Sequence, residues 1–230
     1  MPFSEIISFL PILLFSVIVH EVAHGWVALK CGDPTARDAG RLTFNPIPHI
    51  DPFMTILLPA MLIYSGAGII FGGAKPVPVN PYNFRRRERD NILVAFAGPA
   101  SNLLLAMIAV VFSLIVALVF QDSISRLGLA LIDFLTKIIL INLILANFNL
   151  IPIPPLDGSH ILAGILKGEA KQAYLKLGRY GFFIIIIILV VKRAWFFLLL
   201  KPSIELLEIC IRWQISVWPY VMSLYDMVSQ

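Results

Sequence analysis

Long apolar runs alternate along the chain with short polar stretches rich in proline and glycine. The first run, Ile6 to Leu29, has Glu21 as its only formal charge and, at 1.5 Å per residue, is long enough to cross a hydrocarbon core of about 30 Å. Residues 30–50, "KCGDPTARDAGRLTFNPIPHI", read as loop or short strand. The next run, Pro52 to Phe71, is interrupted by Pro59, Gly66 and Gly68. It passes into "GGAKPVPVNP", where Pro76, Pro78 and Pro81 forbid a helix. After "RRRERD" the pattern predicts a helix from Ile92 to Phe120, a polar turn "QDSISR", and a helix from Leu127 to Ala146. Pro152, Pro154 and Pro155 then unwind the chain, and "SHILAGIL" resumes as helix. A basic stretch, Lys167 to Arg179, precedes the apolar run "FFIIIIILVV". Residues 203–218, with Glu205, Glu208, Arg212, Trp213 and Trp218, suit an interfacial helix, and Lys192 and Arg193 leave 192–202 ambiguous.

Composition turns these runs into a class. Hydrophobic residues make up 59% of the 230, charged residues only 14%, and mean hydropathy is +0.87, well above the norm of soluble domains. The expected fold is an all-α polytopic membrane protein, with a re-entrant segment or an extra span at 52–71 and accessory C-terminal helices. The chain reads as one integral membrane domain, residues 1–230, with a core over about 6–166 and C-terminal helices over about 172–230. It shows no internal repeat and no soluble module. The first run lacks the basic n-region of a signal peptide and reads as retained. Cys31 and Cys210 are too few for a disulfide framework.

The net charge of +4 comes from clusters beside apolar segments, a positive-inside pattern rather than a nucleic-acid surface. Loops 30–50, 72–91 and 167–179 carry the Lys and Arg residues and are expected on one side, the cytoplasmic one. A single crossing by 52–71 would break that rule. A re-entrant path would keep it and would require a polar interior, because irregular backbone at membrane depth needs protein or water around it.

The first run also carries chemistry. His20-Glu21-Val22-Ala23-His24 is H-E-x-x-H. On a helix, positions four apart share a face, so both imidazoles reach one metal and the glutamate, one residue round, reaches a water at that metal. Zinc suits neutral imidazoles and lowers the pKa of a coordinated water from about 15.7 to about 7. Glu21 can then take a proton and pass it to a leaving amine. A structural polar cluster is the competing explanation. Each unpaired charge at the bilayer centre costs roughly 2.5–3.5 kcal/mol, which makes function the default for such residues. Catalytic zinc wants a third protein ligand, and the candidates are Asp157, His49, His160 and Asp51. Asp157 is favoured because it follows a proline-broken helix end, where a kink can aim a carboxylate inward. His160 reads as a polar neighbour, and His49 and Asp51 as members of a solvated loop.

H-E-V-A-H in a first membrane helix, paired with "NLIPIPPLDG" in a later one, resembles the site-2 protease family of intramembrane zinc metalloproteases. "GPASN" at Gly98–Asn102 and "GGAKPVPVNP" belong to the same likeness, which spans residues 20–158. The resemblance implies a three-helix catalytic core, one zinc per chain held by His20, His24 and Asp157, and Glu21 as general base. It also implies that Asn149 holds the substrate backbone or the developing oxyanion, against the simpler reading of a helix-end cap. The compact branch, without a PDZ or CBS domain, is the nearest in form.

Function follows as an expectation: zinc-dependent hydrolysis of peptide bonds in or near transmembrane segments of other membrane proteins. The partners expected are those substrates and the lipid bilayer, with no nucleic acid. The setting expected is multi-pass in the plasma membrane of a prokaryote, with chemistry toward the cytoplasm. His24 lies about 9 Å from Lys30 along the helix, just inside that surface. A substrate helix must unwind first, and "AKPVPVNP" or a strand in 41–47 would pair with it as an added strand, unless the prolines make a rigid connector. The rival class is a zinc-binding transporter or non-proteolytic scaffold. A transporter would show paired halves and further ligands along a path, neither of which is present in the sequence.

Overall fold

A computed structural model of the chain describes residues 3–64, 72–119, 126–190, 201 and 205. Its elements are α1 (Phe3–Cys31), α2 (Thr35–Asp38), a 3-10 turn (Ile47–His49), a π-helical stretch (Pro52–Leu57) continuing into α3 (Leu58–Tyr64), a second 3-10 turn (Pro81–Asn83), α4 (Arg87–Val119), α5 (Arg126–Asn149), α6 (Asp157–Ile165) and α7 (Gly168–Val190). No strand occurs among the described residues. Among the described residues, three segments are long and apolar enough to cross a membrane: Phe9–Cys31, Arg87–Ala117 and Leu127–Asn149. The protein is an all-α polytopic membrane protein.

Helix α4 is the centre, packed against α1, α5 and α6. Ala106 and Ala109 of α4 meet Ile139 and Leu143 of α5. Small residues at such a seam let two backbones approach closely, the main source of helix association where lipid competes for every apolar face. Polar residues fill the remaining space between the three spans: Ser16, Asn102 and Asn142 are all buried.

Helix α4 begins at Arg87, inside the basic run rather than after it. The Asp90 carboxylate accepts from the Arg86 backbone N–H at 2.8 Å, satisfying one of the donors that a helix start leaves open. Helix α5 runs to Asn149, three residues past the predicted end, because the first helix-breaking proline is Pro152. Helix α7 corrects the split predicted for its region. The basic stretch and the following apolar run form one helix, with Gly168 at φ +57° marking the corner before it. The interfacial helix predicted for 203–218 lies outside the described residues, apart from Glu205.

The two basic loops and the basic start of α7 meet at one end of the bundle. Arg85 N–H donates to the Cys31 carbonyl at 3.1 Å, joining the end of α1 to the approach to α4. Lys171 of α7 pairs with Glu88 of α4 at 2.9 Å. Buried Asp33 ties the first loop to the second by accepting from Asn80 N–H at 2.7 Å, Asn83 Nδ2 at 2.8 Å and the Thr35 hydroxyl. Burial alone would raise its carboxyl, but these bonds outweigh burial and hold it below the usual carboxylate range.

The segment after Pro52 leaves and returns at one place. Asp51 caps its start, accepting from the N–H groups of Phe53 and Met54 at 2.9 and 2.8 Å. Gly73 N–H donates to the Met54 carbonyl at 3.1 Å, and the Thr55 hydroxyl to the Gly73 carbonyl at 2.6 Å. The described ends of 52–71 therefore lie side by side, the arrangement a re-entrant path requires, while residues 65–71 between them lie outside the described residues.

Candidate active site

Helix α1 presents Ser16, His20 and His24 at four-residue intervals, all on one face and all buried. Asp157 is the first residue of α6, delivered by a loop that the prolines prevent from being helical. Its Oδ2 lies 3.0 Å from His20 Nε2 and 3.4 Å from His24 Nε2, and the two Nε2 atoms are 3.0 Å apart. Gly98 of α4 closes the other side. A Cβ there would overlap His24 Nε2 and stand 2.5 Å from His20 Nε2, so only glycine lets α4 pass this close.

The outward nitrogens fix what the inward ones carry. His24 Nδ1 lies 2.6 Å from the Val94 carbonyl, which can only accept, so Nδ1 holds the proton and Nε2 a lone pair. His20 Nδ1 lies 2.6 Å from Asn102 Oδ1. That amide's orientation is set by its nitrogen, which donates to Asn142 Oδ1 at 2.8 Å and the Ser16 carbonyl at 3.3 Å. Asn142 in turn donates to Ser16 Oγ at 2.9 Å and the Ile138 carbonyl at 2.9 Å. With both rings neutral, the imidazoles therefore aim Nε2 lone pairs at a carboxylate oxygen that is buried and has no other hydrogen-bond donor.

Three acceptors converging without a proton between them are a site for a cation. Zinc bonds of about 2.0–2.1 Å in tetrahedral geometry place donor atoms about 3.3 Å apart, close to the separations seen. Among the described residues this is the one cluster of three or more such side chains with donors close enough to share an ion.

Glu21 is half-buried beside this set and points toward the extended segment, where its Oε2 accepts from Val77 N–H at 2.7 Å. Other donors of that segment also have partners within the chain. Lys75 N–H goes to the His49 carbonyl, Asn80 N–H to Asp33, and Pro76 and Pro78 have none. The segment thus holds Glu21 in place, and neither it nor residues 41–47 form a strand within the described chain.

The other ligand candidates are placed elsewhere. Asp51 caps the π-helical stretch. His160 is exposed. His49 is fully buried, contrary to the solvated loop expected for it, because its Nε2 donates to the Thr43 carbonyl at 2.9 Å and its own carbonyl receives Lys75 N–H. Asn149 Nδ2 donates to the Leu145 carbonyl at 3.0 Å, a bond within its own last turn. Sequence reasoning missed Ser16, Asn142 and the role of Asn102. The available signal was the cost of a buried amide between membrane helices.

A polytopic helical membrane protein with three side chains that could hold a metal ion, and a carboxylate beside them, is the class that fold and site define. The model of peptidase family M50 matches residues 8–127 and 113–191, so the chain belongs to peptidase family M50, the site-2 protease family, and is a zinc metalloprotease. YwhC of Bacillus subtilis (strain 168) is 38% identical over 182 residues, covering 77% of this chain and 80% of its own. Rip2 of Mycolicibacterium smegmatis is 33% identical over 175 residues, covering 74% of this chain and 62% of its own. MJ0392 of Methanocaldococcus jannaschii is 31% identical over 166 residues, covering 72% of this chain and 36% of its own. All three have "zinc metalloprotease" in their names. No solved structure matches the chain.

Proposed function

We propose that the chain is a single-domain intramembrane endopeptidase that cleaves within or beside transmembrane segments of other membrane proteins, near the cytoplasmic face of a prokaryotic plasma membrane. The observation that carries this reading is the convergence of His20, His24 and Asp157 inside the three-span core, with Glu21 next to them. In this reading those three hold zinc, which supplies Lewis acidity that polarises a water and the scissile carbonyl.

The chain's own groups do the rest. Asn102 and the Val94 carbonyl keep each imidazole in the tautomer whose Nε2 faces inward. Val77 N–H holds one oxygen of Glu21, leaving the other to take a proton from the attacking water and return it to the leaving amine. Asn149, at the end of α5 and eight residues before Asp157, is proposed to bind the substrate backbone or the oxyanion. It must release the Leu145 carbonyl to do so.

The test is cleavage of a fluorogenic peptide built on a glycine-interrupted transmembrane helix, with protein and peptide in liposomes. Glu21→Gln should retain zinc and lose cleavage by several orders of magnitude; full-rate cleavage would sink the mechanism. In the same assay Asn149→Ala should lower kcat by about 10²–10³ if it serves the oxyanion. It should lower only thermal stability if it is a helix cap.

A further inference from the structure

Helix α7 rests on the loop that delivers Asp157, and it does so through a notch. Gly181 is buried against Pro154: a Cβ there would overlap the Pro154 carbonyl oxygen, 2.7 Å from its carbonyl carbon and 3.1 Å from its Cβ. At Gly178 the added atom would lie 3.8 Å from Pro154 Cβ and Cγ, an ordinary contact. One turn earlier the Tyr174 hydroxyl donates to the Pro152 carbonyl at 2.9 Å. Tyr174, Gly178 and Gly181 fall at i, i+4 and i+7, so one face of α7 meets the loop.

The loop has little slack to absorb a push. Ile153 N–H bonds to the Ile151 carbonyl at 2.8 Å and Leu156 N–H to the Ile153 carbonyl at 3.0 Å. Ser159 N–H on α6 bonds back to the Leu156 carbonyl at 2.9 Å. Displacement of Pro154 therefore passes through Pro155 and Leu156 to Asp157. At the start of α7, Lys171 pairs with Glu88 of α4, the helix that carries Gly98, so the support is braced against the site's own wall.

We propose that α7 positions the third metal ligand, with Gly181 and Tyr174 as positioning residues that seat Pro154 and Pro152. The proposal rests on the reading of Asp157 as a zinc ligand. Magnitudes favour a measurable effect. Bringing an added methyl from 2.7 Å to a normal carbon contact of about 3.5–4.0 Å takes a movement on the order of 1 Å. Metal–ligand distances tolerate only about 0.2 Å.

The test uses the purified full chain, with zinc affinity measured by competition with a chromophoric chelator and the visible spectrum recorded after cobalt substitution. Gly181→Ala should weaken zinc binding about 10- to 100-fold, as loss of an outer-shell partner does, and alter the intensity of the cobalt bands. Gly178→Ala should match wild type in both. Tyr174→Phe removes one oxygen and should shift affinity a few-fold in the same direction, which decides the matter if Gly181→Ala does not fold. Zinc retained by Asp157→Ala would refute the ligand assignment itself. Zinc lost by Asp157→Ala but bound normally by Gly181→Ala and Tyr174→Phe, with unchanged cobalt bands, would overturn the role of α7 alone.

Discussion

A buried asparagine between membrane helices is costly unless each of its polar atoms has a partner, and Asn102 has them. Its two ends do different work. The oxygen sets the tautomer of His20, and the nitrogen ties α4 to α1 and α5. Substitution should separate them. Asn102→Ala should weaken zinc binding about 10- to 100-fold by chelator competition. Asn102→Asp keeps an acceptor for His20, so affinity should stay near wild type while the melting temperature falls with the lost donors. Equal zinc affinity in wild type and the alanine variant would remove Asn102 from the metal site. At this scale H-E-x-x-H was legible because helical spacing alone brings His20 and His24 together. The tautomers were not, since they depend on Val94 and Asn102, which lie 70 and 82 residues away.

At the scale of elements, helix existence was read well and helix ends less so. Apolar length announces a span, while a terminus depends on which side chain reaches the open backbone groups, as Asp90 does for α4. The basic stretch at the head of α7 shows the limit of charge as a loop signal: Lys and Arg are good helix formers, and only Gly168 breaks the chain there. The segment from Pro52 gives a direct test. Asp51→Cys and Lys75→Cys, each in a background with Cys31 and Cys210 replaced, should be labelled by an impermeant maleimide from the same side of oriented vesicles. Labelling from opposite sides would contradict the latch of Gly73 onto Met54.

Across the whole molecule, the proposed metal site would join α1 to α6 through a carboxylate and two imidazoles, so an ion there should stabilise the assembly. Dialysis against a strong zinc chelator should lower the melting temperature, and zinc returned at about 100 times its Kd should restore about 2.7 kcal/mol of stability. An unchanged melting temperature would mean that zinc binds without linking the helices. The sequence by itself determined the membrane class, the apolar runs of the long helices, the H-E-x-x-H pattern that brings two histidines and a glutamate together, and Asp157 as the favoured third ligand. Each of these rests on local order: apolar run length, helical period, and the position of prolines. Tertiary structure alone decided that Gly73 lies against Met54, that Val77 in "AKPVPVNP" holds Glu21, and that His49 is buried. It also decided which of the amides between the spans serve the histidines. The physical reason is common to all of these. A buried donor or acceptor must find its partner wherever the fold brings one, and for Glu21, His20 and His24 those partners are 56, 82 and 70 residues away.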